Sequence, residues 1–209
     1  MNVLAIGAHF DDVELGCGGA LAKHVSKGDD VTVYVATVSG FADHRNQEVR
    51  SNSRAQTEGE DAMKTLGVKR LICGTFKTLQ IEFVDALNIE ILRIIEDQKI
   101  DLVYTHWIGD IHHDHQAVGR ASLHSSRHVP RLLMYRSNWY HSPMEFHGNY
   151  YVDITDAWLK KREAILAHAS EVNRTGHKWI SFFENEAENA GQRIGCRYAE
   201  VFQVLKWIE

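Results

Sequence analysis

Asn2-Val3-Leu4-Ala5-Ile6-Gly7-Ala8 is an unbroken apolar run, and it ends abruptly in His9-Phe10-Asp11-Asp12-Val13-Glu14-Leu15-Gly16-Cys17-Gly18-Gly19. A short run with no polar alternation is the pattern of a strand buried on both faces, as in a parallel sheet covered by helices. The chain downstream repeats the motif of strand then helix. Asp30–Thr37 and Arg70–Cys73 read as strands, followed by Asp101–Thr105 and Arg131–Tyr135. Helical spacing falls between them at Gly18–Lys27, Ser53–Leu66, Val84–Gln98 and His115–Arg127. Alternation of this kind predicts βαβ units, hence a Rossmann-like α/β fold: a mostly parallel sheet with helices on both faces. The tail adds strands at Tyr150–Ile154 and Ala199–Trp207 and a helix over Asp156–Ser170. Gly40–Asn52 and Asn138–Asn149 are the expected long loops.

With 209 residues and no linker, repeat or low-complexity segment, one domain over residues 1–209 is expected. The formal charge of −5 and the absence of a basic block argue against nucleic acid or an anionic membrane as partner. The longest apolar run, near Val31–Val38, is too short to span a bilayer. No basic, cleavable leader precedes the first strand, so a cytoplasmic setting is expected. Cys17, Cys73 and Cys196 form no CxxC pair, which argues against a disulfide framework and a thiolate zinc site. Cys17 reads as a small buried thiol.

The His9–Gly19 segment lies at the carboxyl end of a buried strand, where open α/β sheets bind ligands. It is not a dinucleotide turn, because the residue three after Gly18 is Leu21 rather than glycine, and no Gly-Lys-Ser/Thr follows to make a P-loop. Asp11 and Asp12 could simply cap the next helix. The fourth strand ends in His106-Trp107-Ile108-Gly109-Asp110-Ile111-His112-His113-Asp114-His115: four imidazoles and two carboxylates in ten residues. Metal binding is the usual physical reason for such density. A strand order of 3-2-1-4-5 makes strands 1 and 4 neighbours at the switch point, so the loops after them flank one crevice. Two histidines and one carboxylate, with one position left for water, is the ligand count of a hydrolytic zinc site.

Ala8-His9-Phe10-Asp11-Asp12-Val13-Glu14 resembles the (A/P)HPDD(E/V)E signature of the PIG-L/LmbE family of N-acetylglucosaminyl deacetylases. His112-His113-Asp114-His115, followed by Gly119, resembles that family's H-x-D-H-x-x-x-G segment. Asp153–Thr155, Lys161 and His168-Ala169-Ser170 are similar to its later segments. The resemblance implies a metal-dependent hydrolase that removes an N-acetyl group from an amino sugar or sugar conjugate. It implies His9, Asp12 and His115 as ligands of Zn2+, with another divalent metal such as Fe2+ open. Asp11 is the implied general base, His112 the second proton-transfer or electrophilic residue, and Asp114 an orienter of an imidazole. Arg54, or less closely Arg50, is the implied substrate-binding arginine. Phe10 and His113 depart from the pattern by replacing prolines, and His113 adds an imidazole that competes with His112 for the place facing substrate. Trp139 and Phe146 offer either an aromatic platform or plain core packing. Ser122, Ser125 and Ser126 read as helix surface rather than nucleophiles.

The implied partner is a small N-acetylated sugar. The residues leave the oligomeric state open, a homo-oligomer included. A non-sugar amide hydrolase and a non-catalytic metal- or sugar-binding module share these features. A glycosidase using Asp11 and Asp12 does not, because adjacent carboxylates cannot easily flank a glycosidic bond at roughly 5–9 Å.

Overall fold

The computed structural model describes residues 1–209. Its elements are β1 (Asn2–Gly7), α1 (Asp12–Ser26), β2 (Asp30–Thr37), β3 (Phe41–Ala42), β4 (Glu48–Arg50), α2 (Asn52–Leu66), β5 (Arg70–Phe76), α3 (Asp85–Asp97) and β6 (Leu102–His106). They continue with α4 (His113–Ser125), β7 (Arg131–Tyr135), β8 (Tyr150–Asp153), a 3₁₀ turn at Thr155–Ala157, α5 (Trp158–Ala167), α6 (Ala169–Thr175), α7 (Lys178–Ile194) and β9 (Ala199–Trp207). Seven strands form one sheet in the order β5-β2-β1-β6-β7-β9-β8. The first five are parallel, in the predicted 3-2-1-4-5 order. β9 then pairs antiparallel with β7, and β8 antiparallel with β9 at the edge.

Side-chain alternation along β1 divides the core. Val3 and Ala5 join Val31, Val33 and Val35 in the cluster under α1, α2 and α5. Leu4, Ile6 and Ala8 join Leu87, Ile91, Val118 and Ala121 in the cluster under α3 and α4. Both faces are covered, which is why the run shows no polar alternation.

Several boundaries differ from the sequence expectation. α1 begins at Asp12, not Gly18, so its glycines are packing positions rather than turn positions. A Cβ on Gly16 would lie 2.1 Å from the Tyr135 ring, and the glycine lets the helix sit flush on the sheet. α1 is also held from outside. Lys161 Nζ donates to Leu15 O and to Glu200 Oε1 (2.6 Å), while the Glu200 carboxylate accepts from the Gly19 and Ala20 N–H groups. The expected loop at 40–52 contains the β3–β4 hairpin. The single helix expected over Asp156–Ser170 is divided at His168, whose ψ of 57° leaves the helical range. α7 was not expected, although Trp179, Phe183, Ala187 and Ala190 bury one helical face. Ser122, Ser125 and Ser126 are buried, not surface positions; the Ser122 hydroxyl donates to Val118 O and the Ser125 hydroxyl to Asn88 O.

Candidate metal centre and active-site cleft

The turn after β1 sets the first half of the site. Asp11 occupies the N-cap position of α1 with φ 127°, a strained conformation for a residue with a side chain, and its carboxylate makes no capping hydrogen bond. The capping interpretation of this aspartate is therefore not met, and its carboxylate turns to the cleft, where Arg50 approaches it. Asp12 turns inward instead: Oδ2 accepts the His9 N–H at 2.7 Å and Oδ1 accepts the Ser137 hydroxyl at 2.9 Å. Phe10 has an N–H where proline has none, and it donates to Ser39 Oγ at 2.8 Å. The Phe10 ring packs so closely on α2 that a Cβ on Gly59 would lie 2.2 Å from it.

The end of β6 supplies the other half. His9 Nε2 lies 2.9 Å from Asp114 Oδ2, and His115 Nδ1 lies 3.0 Å from Asp110 Oδ2. Each carboxylate accepts from the outer ring nitrogen and so directs a lone pair inward from the other. Asp114 is fixed in turn by the Leu79 and Ile81 N–H groups, and Asp110 by Asn138 and the His112 N–H. The inner atoms converge: His9 Nδ1 to His115 Nε2 is 3.3 Å, His9 Nδ1 to Asp12 Oδ2 is 3.4 Å, and His115 Nε2 to Asp12 Oδ1 is 3.2 Å. Donors bound tetrahedrally at 2.0–2.1 Å around one ion stand roughly 3.3–3.4 Å apart; the two imidazole nitrogens have that spacing, and Asp12 presents a different oxygen to each of them. Burial opposes charge on His9, but Asp114 and Asp12 outweigh it and raise its pKa to about 9. Burial likewise opposes charge on His115, and Asp12 and Asp110 raise it to about 10. His106, buried and stacked 4.1 Å from His115, accepts the Ala8 N–H at Nε2 and lies 3.2 Å from Asp12 Oδ2.

His112 and His113 take different places. His112 caps α4, its Nδ1 accepting the Asp114 N–H at 3.2 Å, which leaves the proton of the neutral ring on Nε2. Its ring lines the cleft 4.9 Å from His9 and 4.5 Å from His115. Burial, then the neighbouring His115 and His9 charges, depress its pKa to about 4. That favours the neutral ring, with its proton on Nε2. His113 lies outside the cleft with its side chain 58% exposed.

The two arginines also separate. Arg54, the arginine favoured from sequence, lies outside the cleft, 59% exposed, and pairs with Glu58 at 2.8 Å. Arg50 is buried and reaches the cleft from β4. Nη1 donates to Phe10 O at 3.1 Å and approaches Asp11 Oδ2 at 3.4 Å; Nη2 donates to Glu58 (3.0 Å) and to His168 Nδ1 (3.0 Å). His168 then donates from Nε2 to Glu14 Oε1 at 2.8 Å. Burial and the adjacent Asp12 carboxylate push the Asp11 carboxyl up to about 7, against the pull of Arg50. That value suits a group that exchanges protons near neutrality.

The cleft encloses about 320 Å3. Beyond these groups it is lined by Phe41, Trp139, Tyr140 and Trp179 and by Glu171 and Arg174 of α6. Trp139 both lines it and packs 5.7 Å from Phe182. Phe146 packs on Trp107 and lies outside the cleft. Sequence reading named Asp110, Glu14 and His168 within its motifs without giving them a role, and missed Asn138, Glu171 and Arg174. Asp110 had a usable signal, since a metal-binding imidazole commonly donates its outer N–H to a carboxylate. Asn138 comes from an irregular segment, whereas Glu14 in α1 and Glu171 and Arg174 in α6 are polar residues on helices, whose partners the period of the apolar positions does not give.

A parallel α/β sheet gathers two imidazoles and a carboxylate at its switch point, beside a second carboxylate approached only by Arg50, a donor set suited to a metal-assisted hydrolase. The family described as PIG-L, GlcNAc-PI de-N-acetylase, matches residues 4–126, and the chain belongs to it. It is 35% identical over 147 residues to the uncharacterized deacetylase YaiS of Escherichia coli (strain K12), covering 66% of this chain and 76% of that protein. It is 26% identical over 222 residues to the diacetylchitobiose deacetylase of Thermococcus kodakarensis, covering 95% and 81%. The crystal structure of GalB, the 4-carboxy-2-hydroxymuconate hydratase from Pseudomonas putida, superposes with a TM-score of 0.84 at 18% identity, covering 100% and 98%. The fold thus extends to a different reaction, and function has to be argued from the site. No helix of the chain is long and apolar enough to cross a membrane.

Proposed function

We propose that residues 1–209 act as one domain that removes the acetyl group from an N-acetylated amino sugar or sugar conjugate, with zinc held by His9, Asp12 and His115. The convergence of three donors at 3.2–3.4 Å, with both outer imidazole nitrogens held by carboxylates, carries the reading. The deacetylases among the relatives support the amide as the bond broken.

A metal bound there supplies a Lewis acid and lowers the pKa of water toward ~7. The chain's own groups do the rest. Asp11 takes a proton from the attacking water and returns it to the departing nitrogen. A C–O bond forms, the amide C–N bond breaks, and acetate and a free amine leave. His112 donates from Nε2 to the carbonyl oxygen as negative charge develops on it. Asp114 and Asp110 keep the lone pairs of His9 and His115 directed inward. Arg50 anchors the strained Asp11 turn through Phe10 O and holds the Asp11 carboxylate within reach.

The test is acetate release from a panel of N-acetylated sugars, with N,N'-diacetylchitobiose included, before and after chelation and on zinc restoration. Chelator-sensitive release supports the assignment. Undiminished release after complete metal removal, or release from no acetylated sugar, would sink it.

A further inference from the structure

The chemistry above makes no use of the cleft wall contributed by α6. Arg174 stands on that wall with its side chain 49% exposed, and it lines the same cleft as Asp11 and His112. Two neighbours fix its guanidinium. The buried Glu171, one turn earlier, accepts from both Nε (2.9 Å) and Nη2 on its Oε2. Phe41, which also lines the cleft, has its ring centroid 5.8 Å from Arg174 Cζ. Glu171 above all, with Asp11 and Tyr140 adding to it, raises the Arg174 pKa above its ordinary value. The group therefore stays charged, within the field of the proposed base. The bonds to Glu171 use the Nε side of the guanidinium. Nη1 makes no hydrogen bond within the protein, so the Nη1–Nη2 edge keeps N–H groups to offer.

A half-exposed arginine can be satisfied by water alone, but most such side chains are free to move, and ordering them on a ligand costs entropy. Arg174 is held between a buried carboxylate and an aromatic face, so its free edge already has a direction. That edge presents two parallel N–H groups whose spacing matches the two oxygens of a carboxylate or phosphate. A pair of charge-assisted bonds of that kind is stronger than one bond to a hydroxyl. Glu171 is buried, so an anion in the cleft meets the guanidinium before the carboxylate. We propose that Arg174 is a specificity-determining residue: its Nη1–Nη2 edge binds an anionic oxyacid group, carboxylate or phosphate, carried by the sugar whose acetamido group lies at Asp11, and Glu171 is the positioning residue that aims it. The inference rests on the sugar deacetylase reading. It adds that the substrate is a negatively charged sugar conjugate.

The test uses the metal-loaded enzyme with N-acetylglucosamine as the neutral reference and three charged relatives: its 1-phosphate, its 6-phosphate, and N-acetylmuramic acid, which carries a carboxylate. The quantity read is KM for each charged sugar against KM for the neutral one. With the wild type, at least one charged sugar should have KM about 10- to 100-fold below N-acetylglucosamine, the worth of a hydrogen bond between charged groups. Which sugar it is separates phosphate from carboxylate. Arg174→Gln should erase that ratio, with the loss in KM rather than kcat. Arg174→Lys keeps a cation against Glu171, so it holds the fold if Arg174→Gln does not, and it should still lose most of the ratio because a point charge cannot make the paired bonds. No preference for any charged sugar overturns the inference. So does a preference undiminished in either variant, as an anion bound to the metal alone would give, or an equal loss for neutral and charged sugars. Binding read from tryptophan fluorescence, with Trp139 and Trp179 in the cleft, separates this from the reaction itself. An Arg174-dependent Kd for a charged sugar without acetate release supports the inference while sinking the deacetylase reading. Acetate release with no Arg174-dependent preference does the reverse.

Discussion

Replacing Asp11 and Asp12 one at a time by asparagine separates the roles of two adjacent carboxylates. Asp12 accepts the His9 N–H on one oxygen and the Ser137 hydroxyl on the other. An asparagine there must turn its NH2 group toward one of these donors. Its one oxygen can still accept the His9 N–H, and the NH2 group then faces the Ser137 hydroxyl, which has to turn from donor to acceptor; loss of the charged acceptor should cost about 1–3 kcal/mol of folding stability. The same change removes the only anion from the proposed ligand set, so metal content should fall well below one per chain and excess zinc should partly restore turnover. Asp11 has no comparable anchorage, only the 3.4 Å contact with Arg50 and no capping bond. Asp11→Asn should therefore keep its metal and thermal stability, lose kcat by about 10²–10⁴-fold, and gain nothing from added zinc. The pH profile follows from the same group. Its carboxyl, held near about 7 without a metal, must be ionised to accept a proton, so wild-type kcat/KM falls on the acid side. The charge of a bound metal moves that limb below 7, and Asp11→Asn removes it. Elemental analysis, thermal unfolding and acetate release on the two variants together provide the assay. A metal-free Asp11→Asn beside a metal-replete, inactive Asp12→Asn would refute the reasoning.

Zinc affinity should rise with pH, because metal must displace protons from His9 and His115, which hold them up to about 9 and about 10. Between about pH 6 and pH 9, Kd should fall by up to about 100-fold per unit, with nearly two protons released per metal by calorimetry in contrasting buffers; a flat Kd would contradict this. His112→Ala should retain metal and lose rate by about 10²–10⁴-fold, whereas His113→Ala, at an exposed position, should stay within about twofold; the reverse order in acetate release would exchange their roles. Arg50→Met strands Asp11, Glu58 and His168 and should cost about 3–5 kcal/mol in urea unfolding, while Arg54→Ala should cost at most about 1 kcal/mol; similar losses for both would show that the buried network is not what holds the turn.

Much of this was readable along the chain. The apolar runs of β1, β2, β6 and β7 declared a covered parallel sheet because both faces of each strand are buried, and the alternation with helices implied the order that makes β1 and β6 neighbours. That order alone brought His9, Asp11 and Asp12 to the same crevice as His112–His115. The outer carboxylates were legible in part, since Asp110 and Asp114 lie inside the same motif as the imidazoles they hold. Helix limits were less legible: the expected start of α1 at Gly18 fell six residues after the observed one at Asp12, because sequence does not reveal that Tyr135 and Ile154 press against its glycines.

The sequence by itself determined the sheet, its switch point and the inventory of imidazoles and carboxylates that gather there, since these follow from local periodicity and chain order. Only the tertiary structure decided how those groups are used. It turned His112 into the cleft and His113 out of it, and it brought Arg50 rather than Arg54 to the cleft. It joined Glu14, Arg50 and His168 across 154 residues of chain, and it fixed Arg174 on the cleft wall against the buried Glu171. The physical reason is that the period of apolar positions announces where the core lies and not what a polar side chain meets. Which way it points depends on the surfaces that distant segments bring against it.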